Sequence, residues 1–181
     1  MNPADVGFVA LRPFQPPHLE LLAQWLRQPH VARWFPEPED NLAWATNPPA
    51  GGSHAIIGVG MSPVGYLRWR RVDRDTLDAV GLPEVPANSV DADILIGQEG
   101  EVGQGLGPAA LMLLVARIRR DPTIPLIGLT TDLQNTRAHR AFEKAGFRIS
   151  RQYEVPVLGR CHLMTLDLRA AGGATCGPAE A

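Results

Sequence analysis

Val102-Gly103-Gln104-Gly105-Leu106-Gly107 stands between an apolar strand candidate, Val90-Asp91-Ala92-Asp93-Ile94-Leu95-Ile96, and a helix candidate running from Pro108 to about Arg120. Glycine has no Cβ, so a turn built from three of them bends sharply and lets a ligand come close to the backbone. A helix that starts directly after such a turn offers unpaired N–H groups and partial positive charge at its first turn. That combination suits a phosphate or pyrophosphate. Pro108 fits the first turn, where a missing N–H costs nothing. The motif is not a P-loop, because no Gly-Lys-Ser/Thr follows. It is a poor dinucleotide fingerprint, because Gly103-x-Gly105-x-Gly107 is not G-x-G-x-x-G. By itself the turn is read equally well as plain structure.

The stretch downstream narrows the reading. An apolar strand, Leu126-Ile127-Gly128-Leu129-Thr130-Thr131, is followed by Asn135-Thr136-Arg137-Ala138-His139-Arg140-Ala141-Phe142-Glu143-Lys144-Ala145-Gly146-Phe147. A Gly turn of this form, followed some thirty residues later by N-x-x-A-x-x-x-F-E-K-x-G-F, resembles the acetyl-CoA-binding core of the GNAT superfamily of N-acetyltransferases. Three further stretches resemble the aminoglycoside 6'-N-acetyltransferases of that superfamily. They are Leu11-Arg12-Pro13 with Trp25-Leu26 and Val31-Ala32-Arg33-Trp34-Phe35, then Pro63-Val64-Gly65-Tyr66, then Gly159-Arg160-Cys161-His162-Leu163-Met164. The likeness covers residues 8–168 with gaps in two loops, and its N-terminal part is shared with siderophore-type acyltransferases.

Composition is compatible with this and excludes other classes. The 181 residues carry a formal net charge of −2, with 45% apolar and 20% charged residues. Nothing in that balance points to nucleic acid. No apolar run approaches the roughly 20 residues of a membrane span, and Met1-Asn2-Pro3-Ala4-Asp5 has no signal-peptide character. Cys161 and Cys176 form neither a disulfide framework nor a metal site. The expectation is a cytoplasmic enzyme, monomer or homodimer, that acts on a small-molecule amine and needs no metal.

Periodicity along the chain fills in the elements. Strands are expected at 8–12, 53–59, 64–70, 90–96, 126–131, 147–155 and 160–168. Helices are expected from Pro16 to about Leu26, at 30–35, at 108–120 and at 135–145, with a further turn near 41–45. Gly146 terminates the helix before it. Residues 73–89 read as a long Pro- and acid-containing loop, either disordered or functional. The chain is expected to form one α/β (α+β) domain over 1–169 with a disordered tail at 170–181. By resemblance, the fold is a mixed sheet of about seven strands with helices on both faces, splayed between strands 90–96 and 126–131.

The resemblance also assigns roles. Acetyl-CoA, the co-substrate, would lie in the splay against Ile94, Leu95 and Ile96. Its pyrophosphate would rest on the amides of Val102, Gly103, Gln104, Gly105, Leu106 and Gly107, and Asn135, Ala138 and Phe142 would line the far wall. Asn135 is equally read as the N-cap of its helix. Arg137 and Arg140 reach either phosphate or solvent, and His139 is expected on the exposed face of its helix.

Acetyl transfer to an amine needs a proton acceptor, because a lysine-like amine of pKa about 10 is almost fully protonated at neutral pH. Asp93, a carboxylate in an apolar strand, is the candidate base; read without the resemblance, it faces solvent in step with Asp91. Trp34, Trp44, Trp69 and Asp132 are candidates for the acceptor side, and the aromatic ones are also candidates for the core. Acids at 73–84 and around 91–101 favour a polycationic acceptor such as an aminoglycoside. Phe142 stands where many relatives carry a tyrosine that serves as general acid. Another amine (a siderophore precursor, a polyamine, a protein N-terminus), or a non-catalytic acyl-CoA-binding module, is the alternative.

Overall fold

The structure, a computed structural model, describes residues 8–169, so the tail at 170–181 lies outside the described residues. Seven strands form one sheet: β1 (Val9–Pro13), β2 (Gly52–Val59), β3 (Ser62–Val72), β4 (Ser89–Ile96), β5 (Leu126–Asp132), β6 (Arg148–Val155) and β7 (Gly159–Asp167). Their order is β1-β2-β3-β4-β5-β7-β6, antiparallel except for β4 and β5. Helices α1 (His18–Leu26), α2 (Pro29–Ala32) and α3 (Pro38–Thr46) precede β2; α4 (Arg74–Ala79) precedes β4; α5 (Leu106–Ile118) and α6 (Thr136–Lys144) flank β5.

The parallel pair is short. Val90, Ala92 and the residue between them align with Ile127 to Leu129, and pairing stops there. The rest of β4 stays paired with β3 as far as Ile96 opposite Gly65, while β5 continues beside β7 to Asp132. Beyond Ala92, the edge of β4 that faces β5 has no strand partner. This is the opening expected between 90–96 and 126–131.

Strand alternation decides what each face of β4 meets. Val90 and Ala92 point into the main core, where Leu106, Ala110, Leu111 and Leu114 of α5 meet Ile127, Leu129 and Phe147, with Ile94 and Ile96 packed alongside. Asp91, Asp93 and Leu95 point the other way. Leu95 joins Leu22, Trp25 and Leu26 of α1, Ile56 and Tyr66 in a second core.

Residues 73–89 are an ordered unit. Asp73 caps α4, its Oδ1 accepting from the Thr76 amide at 2.8 Å. Leu77, Leu82 and Val85 are buried against Val72 and Leu163. Arg74 donates to the carbonyls of Leu82, Pro83 and Val85. The prolines that mark a loop in the sequence thus space apolar residues that cover one end of the sheet.

A close contact sets the exit of β4. A Cβ on Gly97 would come within 2.1 Å of the Trp25 indole, which is only 4% exposed and cannot yield. Gly97 and Gln98 both donate to the Val64 carbonyl, at 2.8 and 3.4 Å. We expect Gly97→Ala to destabilise the fold by about 1–3 kcal/mol through overpacking, read as a fall of several degrees in Tm. Gly100→Ala, where a Cβ meets nothing within 4 Å, should leave the Tm in place.

Candidate active site

Two cavities meet in the splay. The larger, a groove of about 670 Å³, runs from Ile94, Leu95 and Ile96 along Glu101–Gly103 and Gly105–Pro108 to the first turns of α6. Gly103 and Gly105 take positive φ angles of 87° and 82°, a region that costs side-chain-bearing residues energy. Gly105 is the N-cap of α5. α5 begins two residues before Pro108, because the left-handed glycine starts the turn and the proline falls within it. The first residues of α5, Leu106, Gly107 and Pro108, line the groove. Arg33, Arg137, Arg140 and Lys144 also line it, so its walls are basic where an anion would lie.

His30 lies at the other end, its Nε2 3.1 Å from the Ile96 carbonyl. Asn135 accepts from the Ala138 amide at 3.1 Å, the N-cap expected for α6, and lines both cavities.

The smaller cavity, a cleft of about 240 Å³, is lined by Glu37, Arg68, Asp93, Thr131 and Asp132 among others. Groove and cleft share Trp34, Phe35, Ile94, Asn135, Ala138 and Phe142. Asp93 stands beside that junction. Arg68, directly opposite it on β3, donates Nε to Asp93 Oδ2 at 2.8 Å and stacks over Trp44 at 5.1 Å. Asp93 Oδ1 makes no hydrogen bond among the described residues.

One residue pair along, Arg70 faces Asp91 at 3.7 Å. Asp91 lines a third cavity of about 300 Å³, floored by Val72, Leu77, Leu82 and Leu163, that touches the cleft at Thr130 and Val155. Burial of its surroundings, then the charge of Asp93, push the Asp91 carboxyl up to about 6 against the pull of Arg70 and Arg68. Its side chain keeps 41% of its surface open, and solvent in the cavity offsets part of that push.

The structure brings most of the sequence candidates together and separates some. Ile94, Leu95, Ile96, Val102, Gly103, Gly105, Leu106, Gly107, Asn135, Ala138 and Phe142 line the groove, whereas the exposed Gln104 does not. Trp34, Asp93 and Asp132 line the cleft. Trp69 does not belong with them. It is 6% exposed and lies on the opposite face, within the α5 core and under Arg117, because it alternates with Arg68 on β3.

His139 is not simply exposed either. It stacks on His162 at 4.8 Å and contacts the Asp132 carbonyl at 3.0 Å. Tyr153 is held to Thr130 at 2.6 Å in the third cavity, away from the groove.

Among the cleft residues that sequence reasoning does not mark are Glu37, Arg68 and Thr131. Arg68 is legible in principle: Arg68 and Arg70 alternate on one strand as Asp91 and Asp93 do on another, and pairing the strands pairs the charges. Thr131 gives no signal. It is 6% exposed and its hydroxyl is buried without a partner, a state that costs about 1–3 kcal/mol.

A basic groove at a helix N-terminus thus opens through a parted strand pair onto a carboxylate-bearing cleft. The chain belongs to the GNAT acetyltransferase family: the profile described as "Acetyltransferase (GNAT) domain" matches residues 15–155. It is 26% identical over 148 residues to the aminoglycoside N(6')-acetyltransferase type 1 of Klebsiella pneumoniae, covering 77% of this chain and 73% of that one, and equally similar to the one from Serratia marcescens.

Among solved structures, the fold matches an aminoglycoside acetyltransferase in complex with coenzyme A and kanamycin. The TM-score is 0.77 at 24% identity, over 90% of this chain and 96% of that one. It also matches the aminoglycoside N(6')-acetyltransferase of Legionella pneumophila, with a TM-score of 0.69 at 18% identity over 92% and 96%. No group of three or more His, Cys, Asp or Glu among the described residues is placed to hold a metal ion. No described helix is long and apolar enough to cross a membrane.

The raised Asp91 has a testable consequence. A carboxyl with a folded pKa above its unfolded value opposes folding once pH exceeds the unfolded value, and the penalty is complete above the folded one. Asp91→Asn should therefore raise the Tm relative to wild type above about pH 6, and the gap should close as pH falls toward 4. Thermal melts across pH 4–8 measure it.

Proposed function

We propose that this chain is an acetyl-CoA-dependent N-acetyltransferase whose acceptor is a polycationic primary amine, the 6'-amino group of an aminoglycoside. One observation carries the reading: groove and cleft meet at the splay with the Asp93 carboxylate beside the junction. The groove fits the donor on its own chemistry. It offers a left-handed glycine turn at a helix N-terminus and basic side chains for phosphates, and a β4 edge without a strand partner for an amide-bearing arm.

The acceptor side is acid-rich. Glu37, Asp91, Asp93, Asp132 and Glu154 line the cleft and the adjoining cavity, against Arg68 and Arg70. Such a surface draws in a cationic ligand. The relatives named above, acetyltransferases of aminoglycosides, support the same acceptor.

In this reading Asp93 Oδ1 receives the ammonium and takes its proton, directly or through one water. Arg68 fixes the carboxylate by holding Oδ2. The neutral amine then meets the thioester carbonyl at the junction. Trp34, Phe35 and Phe142 put apolar surface at that junction, and less polar surroundings strengthen an electrostatic interaction. Arg68 also narrows the choice of acceptor: the ligand cation approaches a carboxylate that already has one partner, so it binds through the remaining oxygen and the other acids.

The test is release of free thiol from acetyl-CoA in the presence of kanamycin or tobramycin. Turnover is expected, and Asp93→Asn should lower kcat by about 10²–10⁴. Turnover that survives in the variant removes Asp93 from its role. No turnover with aminoglycosides, together with turnover of a polyamine, a peptide N-terminus or a hydroxylamine in a panel, removes the aminoglycoside and keeps the transferase.

A further inference from the structure

Among the described residues, Thr131 holds the one buried hydroxyl in the cleft wall that has no partner. It follows Leu129 by two residues on β5, so both side chains share a face. Ala92 stands opposite Leu129 in the last paired position. Continuing that parallel register past the point of parting sets Ile94 opposite Thr131, with the opening between them. Its backbone is fixed on the far side by pairing with His162 of β7. The side chain is 6% exposed, its Oγ1 is buried and unpartnered, and the residue lines the cleft with Ile94, Asn135, Ala138 and Phe142.

Valine would fill this place with nearly the same shape and leave no polar group behind. Buried polar groups are nearly always paired, and an exception calls for an explanation such as a catalytic role. Its cross-strand neighbour His162, whose Nδ1 is likewise buried without a partner among the described residues, makes no hydrogen bond to it, and the other nearby groups do not supply one. Thr130, the other hydroxyl of the cleft wall, already shares a hydrogen bond with Tyr153. The Asn135 side-chain oxygen is spent on the Ala138 amide, and Phe142 offers no polar atom. The six residues at the junction include no Ser, Tyr, His or Lys. Acyl transfer at this junction nevertheless places a full negative charge on sulfur.

We propose that the Thr131 hydroxyl is a catalytic hydrogen-bond donor to the thioester sulfur, stabilising the thiolate as the carbon–sulfur bond breaks. The amine nitrogen forms its bond to the acetyl carbon, and the carbon–sulfur pair leaves on sulfur. One proton of the original ammonium goes to Asp93 and a second to solvent as the amide forms. Thr131 keeps its own proton throughout, and the thiolate takes one from water after release. Since the acceptor does not enter, the inference rests only on acyl transfer from coenzyme A.

Thr131→Val, with Thr131→Ser as its rescue, tests this. Because the variant removes an unpaired buried hydroxyl, the Tm of the unliganded protein should be equal to or above wild type. The affinity for coenzyme A in calorimetry should change less than twofold to threefold. With whichever amine is turned over, kcat should fall roughly 10- to 100-fold, the range of a hydrogen bond to a charged group, and Thr131→Ser should recover most of it. The deficit should shrink with the acetyl ester of 4-nitrothiophenol, whose thiolate needs less help.

A readout without any acceptor is the thiolate absorbance of bound coenzyme A, which should titrate at higher pH in Thr131→Val. Glu37, Arg68, Asp93 and Asp132, the charged groups of the cleft, and the stacked His162 and His139 beside Thr131 are the same in both proteins. An unchanged kcat with an unchanged titration overturns the proposal. So does a Tm that falls together with kcat, which marks a structural role, and so does a deficit equal for both donors, which places the hydroxyl on the carbonyl oxygen instead. If no aminoglycoside is turned over but the bound thiol still titrates as expected, the acceptor reading fails and this one stands.

Discussion

The parting of β4 from β5 after the Ala92–Leu129 position is the constraint on which the site depends. Up to that point the two strands satisfy each other's backbone groups. Beyond it β4 is held only by β3, and β5 only by β7. A strand edge left open inside a protein is costly unless something satisfies it, so the gap is a standing invitation to a ligand with amide groups of its own. Each flank is held elsewhere: Trp25 is packed onto Gly97 at the exit of β4, and β5 stays paired with β7, and β7 with β6, on the other side. The two chemical environments follow from the same split. On the α5 side the opening ends in amides and basic residues, and on the α3 side it ends in carboxylates.

The carboxylates do not stand alone, and this shapes what the cleft can bind. Arg68 and Arg70 face Asp93 and Asp91 across β3 and β4, a ladder of two ion pairs on one sheet face. The pairs are partly exposed, so neither is a strong stabiliser of the fold. Their effect is on geometry: Arg68 holds one oxygen of Asp93 by a hydrogen bond, and Arg70 stands 3.7 Å from Asp91. The Arg68 guanidinium lies over the Trp44 ring of α3, which links that helix to the Asp93 carboxylate.

Much of the fold is legible in the amino-acid sequence. Periodicity locates all seven strands and the main helices, and the glycine turn with the Asn135–Phe147 stretch marks two walls of the groove. The departures have physical causes. Residues 73–89 carry the composition of a loop, yet Asp73 caps a short helix and Leu77, Leu82 and Val85 find a surface to cover. Trp69 reads like Trp34 in composition, but strand alternation sends it into the α5 core. His139 reads as a solvent-facing helix residue because its neighbour His162 lies on a strand more than twenty residues later.

By itself, the sequence determined what is local: where the chain turns left-handed, where a helix begins and exposes its amides, and that an aspartate interrupts an apolar strand. These are decided by backbone sterics and side-chain periodicity within a few residues. The tertiary structure alone decided what depends on which strands lie side by side. It set where β4 and β5 stop pairing, which guanidinium faces which carboxylate, and that the Thr131 hydroxyl ends buried at the opening without a partner. Such relations join positions tens of residues apart, and no local preference of either partner encodes them.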